Sequence, residues 1–156
     1  MPHDSPEPGS FELGTDGPSA ILVGVDDTVT ATRAAWYAAG LARRQRARLI
    51  VVFVAPLGSA AGSLAGASII VAEDQAHEEM AASMRARAEA VGQELGVSIE
   101  FITAHGDAYS EIKRVADEMR ADAIVVGASA KAGHRLIGSL AVRLVRAGKW
   151  PVTVVP

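Results

Sequence analysis

Two clusters of residues in this chain have the types and spacing to hold a polar, anionic ligand. The first is Asp26-Asp27-Thr28, which follows the apolar run Ala20 to Val25 (AILVGV). The second opens at Gly127-Ala128-Ser129, directly after the apolar run Ala123 to Val126, and closes at Gly138-Ser139-Leu140. Lys131, Gly133, His134 and Arg135 lie between its two ends. A carboxylate at the end of a buried strand accepts hydrogen bonds from hydroxyl or amino groups. Unpaired N–H groups at a helix start hold phosphate, Ser139 adds a hydroxyl, and the neighbouring cations add positive charge. A second reading needs no ligand. In it Asp26 caps the following helix, Gly127 makes a turn and Ser139 caps the last helix. Spacing leaves both readings open.

Motifs for catalysis fail when checked residue by residue. Gly127-Ala128-Ser129 after a strand suggests a nucleophile elbow, but Lys131 stands where that turn needs glycine. His77-Glu78-Glu79 starts like a zinc-protease helix, but Ala81 replaces the second histidine. Neither G-x-x-x-x-G-K-[ST] nor a G-x-G-x-x-G after the first strand occurs. His3, His77, His105 and His134 are scattered and read as surface residues, so no metal site is expected. No catalytic residue is assigned, and Asp26 is the one candidate for a general base.

Composition narrows the class. A chain of 156 residues with 49% hydrophobic and 21% charged residues suits one domain with a buried core. A net charge of −3 gives no reason to expect nucleic acid. The absence of cysteine fits a reducing cytoplasm. The start of the chain shows no export signal, and no apolar run reaches membrane-spanning length.

These clusters must be positioned by alternating elements. Residues 1–19 are rich in Pro and Gly and read as a flexible tail, with Phe11 and Leu13 able to pin it to the surface. Residues 20–156 form the domain. Strands are expected at Ala20 to Val25, Arg48 to Val54, Val97 to Ala104, Ala123 to Val126 and Val152 to Val155. The third alternates polar and apolar residues, as a strand near an edge does. Helices are expected from Thr30 to Arg46, Ser68 to Leu95, Ala108 to Arg120 and Gly138 to Lys149, with Leu57 to Gly66 as loop. Strict alternation gives an α/β fold with a parallel, doubly wound sheet and right-handed crossovers.

ILVGVDDT, ADAIVVGAS, the loop closing at Gly138-Ser139 and the terminal PVTVV occur in the order found in the universal stress protein family, which this chain resembles over roughly residues 20 to 156. The resemblance implies a Rossmann-like, open, parallel, five-stranded sheet in the order 3-2-1-4-5, with helices on both faces. It implies a cytoplasmic stress-response regulator that binds ATP or another adenine nucleotide, with or without Mg2+, and that hydrolyses ATP slowly at most. Carried over, the nucleotide site falls on Gly24, Val25, Asp26, Thr28 and Val54, then on Gly127, Ala128, Ser129, Lys131, Gly133 and Arg135, and on Gly138, Ser139 and Leu140. It also implies a homodimer through the last strand, Val152 to Val155.

Three departures from the family's pattern bear on the phosphates. Ala130 stands in place of the second loop glycine, and only Lys131 to Ile137 separate it from Gly138, where the family has nine residues. Asp27 replaces a glycine and adds negative charge. Gly133 can take over the missing glycine's role, and Lys131 and Arg135 offset Asp27. The alternative is a member of the family that binds no nucleotide and acts as a dimeric interaction module for an unknown protein partner.

Overall fold

The computed structural model describes residues 17–57, 64–129 and 138–156, with side chains left undescribed for residues 64–70. In chain order the elements are β1 (Ala20–Val25), α1 (Val29–Gln45), β2 (Arg48–Ala55), α2 (Leu64–Leu95), β3 (Ile99–His105), α3 (Ala108–Glu118), β4 (Ala123–Gly127), α4 (Ser139–Ala147) and β5 (Val152–Val155). The strands pair in parallel in the order β3-β2-β1-β4-β5. The three near-continuous apolar runs became the three inner strands, which need cover on both faces. The alternating β3 and the half-buried β5 are the edges.

Helix ends differ from the expected limits for local reasons. Helix α2 begins at Leu64, so the end of the segment read as loop is helical; Leu and Ala there are strong helix formers. Helix α3 stops at Glu118 because Arg120 turns left-handed at φ 51°. Helix α4 stops at Ala147, where Gly148 takes the left-handed cap at φ 63°.

The sheet grows one way through β2 and β3 and the other way through β4 and β5. Right-handed crossovers therefore place α1 and α2 on one face and α3 and α4 on the other. Side chains of β1 alternate between two cores. Ile21 and Val23 join the alanine stripe of α1 (Ala34, Ala38, Ala42). Leu22 joins Ile112 and Val115 of α3 and Leu144 of α4. The alanines let α1 lie close to the sheet, since a small side chain keeps the backbone near the strand. Among the described residues no helix is long and apolar enough to cross a membrane.

One buried carboxylate closes the base of the sheet. Asp122, 3% exposed, precedes β4. Its Oδ2 accepts from Ser19 N at 2.9 Å, Ser19 Oγ at 2.8 Å and Ala20 N at 2.9 Å. Its own N–H donates to Ala20 O at 2.8 Å. These bonds set the register of β4 on β1, in which Ile21 lies opposite Ala123. Replacing Asp122 by alanine would leave buried N–H groups without an acceptor. The expected loss is about 2–4 kcal/mol, read from the urea unfolding midpoint, and Ser19→Ala should cost less because both backbone bonds survive.

Candidate functional site

Strands β1 and β4 are neighbours whose following helices leave to opposite faces, which opens a crevice at their carboxyl ends. The ladder between them ends at Val23–Val125, although β1 continues to Val25 and β4 to Gly127. The crevice measures about 370 Å3, within the range of small-ligand sites, roughly 300–1,000 Å3.

On one side stands the loop after β1. Asp26 Oδ1 accepts from Thr28 N at 2.8 Å and from Thr28 Oγ1 at 2.6 Å. Thr28 Oγ1 accepts in turn from Ala31 N at 3.1 Å, which makes Thr28 the N-cap of α1. The cap is therefore Thr28 and not Asp26; Asp26 holds the cap in place. Thr30 Oγ1 donates to Ala128 O at 2.7 Å and ties this loop to the exit of β4. Each hydroxyl has one proton. With Thr28 donating to Asp26 and Thr30 to Ala128, the 3.2 Å approach of the two hydroxyl oxygens is contact without a shared proton. Asp26 is exposed, and its Oδ2 has no hydrogen-bond partner among the described residues.

On the other side stands the start of α4. Gly138 is its N-cap and offers no side-chain bond; Ser139 is the first helical residue, so it is not the cap. Val142 N is the first to bond back, to Gly138 O at 3.1 Å. The N–H groups of Ser139, Leu140 and Ala141 thus have no intrahelical acceptor, and they carry the positive end of the helix dipole. The apolar wall between the two polar ends includes Val52, Val54, Ile112 and Val126.

The glycines serve packing first. A Cβ on Gly127 would lie 2.6–2.8 Å from backbone atoms of Thr30 and Ala31, so the first turn of α1 occupies the space expected for a ligand there. A Cβ on Gly24 would meet Ile112 Cδ1 at 2.9 Å, and one on Gly138 would meet Ser129 Cβ at 2.9 Å. The side chain of Val25 packs into the core under α1 and α2.

The crevice therefore brings together Gly24, Val25, Asp26, Thr28, Val54, Gly127, Ala128, Ser129, Gly138, Ser139 and Leu140. Lys131, Gly133 and Arg135, with Ala130 and His134, lie outside the described residues. Sequence reasoning missed Thr30, Ala108, Ile112 and Ala141, all of which line the space. The Thr28-Val29-Thr30 spacing was a signal for Thr30. Ala108 and Ile112 needed the knowledge that α3 shares a face with α4.

The rim is braced by ion pairing. Asp107 caps α3, accepting from Ser110 N at 3.0 Å and Ser110 Oγ at 2.8 Å. Arg143 of α4 reaches Asp107 Oδ1 at 3.2 Å while its guanidinium lies 4.1 Å over the Tyr109 ring. The Ser110 bonds, with help from Arg143, hold the Asp107 carboxyl below its ordinary value. Arg143 thus links α3 to α4.

Comparison with known proteins agrees with this arrangement. Residues 19–156 match the model of the Universal stress protein family. The search of curated proteins gave no match. The fold is similar to universal stress protein UspA from Lactobacillus plantarum, at 26% identity and TM-score 0.72, over 88% of this chain and 97% of that one. It is similar to a universal stress family protein from Burkholderia pseudomallei, at 27% identity and TM-score 0.67, over 88% and 96%. It also shares the fold of a universal stress protein from Archaeoglobus fulgidus, solved in complex with dAMP, at 23% identity and TM-score 0.58, over 88% and 97%.

The glycine geometry has a direct test. Gly127→Ala should destabilise the fold by roughly 1–3 kcal/mol, because the backbone of α1 must shift to admit the methyl group. Thermal unfolding of the variant measures this; an unchanged midpoint would show that the α1–β4 approach is looser than described.

Proposed function

The chain belongs to the universal stress protein family, and on that premise we propose that it binds an adenine nucleotide in the β1–β4 crevice and acts as a cytoplasmic stress-response regulator. The observation that carries this reading is the pairing of unsatisfied groups across one apolar space. A carboxylate oxygen without a hydrogen-bond partner among the described residues stands at one end, and three helix N–H groups without intrahelical acceptors stand at the other. A ligand that answers both ends has hydroxyl or amino donors, a flat apolar body and an anion. A nucleotide has all three.

Charge fixes its direction. Asp26 and Asp27 are both exposed and repel a phosphate. The anion therefore sits over Ser139, Leu140 and Ala141, where the dipole attracts it. Asp26 Oδ2 accepts from the ribose hydroxyls or the adenine amino group. The base lies along Val54 and Ile112. The dAMP complex of the Archaeoglobus fulgidus relative supports an adenine nucleotide as the ligand class. Binding, rather than turnover, is the role that these groups support.

The reading includes a homodimer through β5. Val152, Thr153, Val154 and Val155 are each half-buried, and β5 is the sheet edge beyond β4. An apolar edge with unpaired backbone groups invites a second strand. A second copy of β5 offers the same surface, so a two-fold pairing is self-complementary.

Titration calorimetry with AMP, ADP, ATP and cyclic AMP, with and without Mg2+, tests the ligand. At least one should bind, and Asp26→Ala should weaken it roughly ten- to a hundredfold, the worth of one hydrogen bond to a charged group. No heat with any of them, from folded and nucleotide-free protein, would overturn the reading in favour of the protein-interaction module. Sedimentation tests the dimer. The parent protein should sediment as a dimer and Thr153→Lys as a monomer, because a charge on an edge strand opposes pairing. A monomeric parent would refute this interface.

A further inference from the structure

The opposite face of the sheet carries a second cavity, a groove of about 110 Å3 between α1 and α2. Val51 and Phe101 form part of its floor, Trp36 and Ala39 its α1 wall, and Met84 and Val91 its α2 wall. Trp36 remains 51% exposed, unusual for so large an apolar side chain beside an apolar channel. The rim is basic. Arg87 lines the groove, and Arg43 continues the Trp36–Ala39 face of α1 by one further turn. Neither arginine has an ion-pair partner among the described residues. Among the described residues, none offers this groove an apolar contact surface together with a negative charge for Arg43 and Arg87.

A segment of the chain itself has both. Residues 1–16 read MPHDSPEPGSFELGTD and include Asp4, Glu7, Glu12 and Asp16 but no lysine or arginine. Phe11 and Leu13 are two apart, so an extended chain turns both to one side and Glu12 to the other. The described chain starts beside the base of this groove. Gly17 lies against the side chain of Gln45, the last residue of α1, whose Oε1 would stand 2.7 Å from a Cβ on Gly17. From Gly17 back to Phe11 an extended chain reaches up to ~20 Å. From Gln45 back to Trp36 the helix rises only ~14 Å. Phe11 and Leu13 can therefore reach Trp36 and the wall facing it. Proline at positions 2, 6 and 8 restricts the free arm and lowers the entropy lost when it is held.

We propose that residues 1–16 form an arm that lies in the α1–α2 groove of its own chain. Phe11 and Leu13 rest between Trp36 and Met84, and the acidic side chains face Arg43 and Arg87. The groove shares Val25 and Asp26 with the crevice between β1 and β4, so the upper end of the arm's seat adjoins the wall of the proposed nucleotide site.

Because the chain has no cysteine, Ser10→Cys in the full-length protein gives a single attachment point for a nitroxide label. Amide spectra then report proximity through paramagnetic broadening. The expected result is loss of intensity at Trp36, Ala39, Met84 and Val91, restored when Phe11→Ala and Leu13→Ala are added. Raising the salt concentration should also restore intensity in part, since exposed charge pairs are screened. Broadening confined to the surroundings of Gly17 and Gln45 would overturn the proposal. So would broadening that survives the double substitution. A mixture of nitroxide-bearing, isotope-free chains with isotope-labelled, nitroxide-free chains separates the remaining case: broadening there would mean that a second copy supplies the arm, against the proposal.

Discussion

The pairing of β1 with β4 is the constraint on which the rest of this structure depends. It is the one place where the sheet stops growing in one direction and starts in the other. Asp122 fixes it at the base. One buried carboxylate oxygen gathers three donors from Ser19 and Ala20 and so sets which residue of β4 faces which residue of β1. Because side chains alternate along a strand, a slip of one residue would exchange the two cores of the sheet. It would also carry Gly127 away from the first turn of α1, where nothing larger than a hydrogen fits.

The same pair of strands is closed at one end and open at the other. Past Val23 and Val125 the ladder stops. Thr30 then crosses the gap to Ala128 and holds the two exits at a fixed separation. The geometry that follows is a matter of helix polarity. Each helix after a strand begins at the carboxyl edge, so α1, α3 and α4 all present their N-termini near one rim. Side chains answer the first two, Thr28 for α1 and Asp107 for α3. Helix α4 starts at a glycine, which has no side chain to give its own cap. That difference, more than the presence of any single residue, is what the proposal of an anion at this end of the crevice rests on.

Much of this was legible in the sequence, at the level of elements. Buried parallel strands advertise themselves as unbroken apolar runs, and β1 and β5 have the limits that their runs suggest. Strict alternation gave the doubly wound class, while the strand order came from family resemblance, because alternation alone does not say where the winding reverses. The caps were harder. Asp26 and Thr28 are both good caps by type, and only the backbone decides that the hydroxyl serves Ala31 while the carboxylate serves the threonine. Gly127 was open to two readings for the same reason. A glycine marks a close approach, but not by what, and here the neighbour is helix backbone from residues far away in sequence. The apolar wall from α3 was hidden because Ile112 looks like any core residue until its face of the sheet is known.

The account's central claim is that the free start of α4 and the exit of β4 receive the phosphate of an adenine nucleotide. The most direct measurement is an amide chemical-shift titration of the full chain with AMP. The account predicts the largest shifts at Ser139, Leu140 and Ala141, with smaller ones at Gly127 to Ser129 and at Asp26, because a phosphate accepting from an N–H deshields it. Amides of α4 that stay unmoved at saturating AMP, or shifts concentrated elsewhere on the molecule, would contradict it.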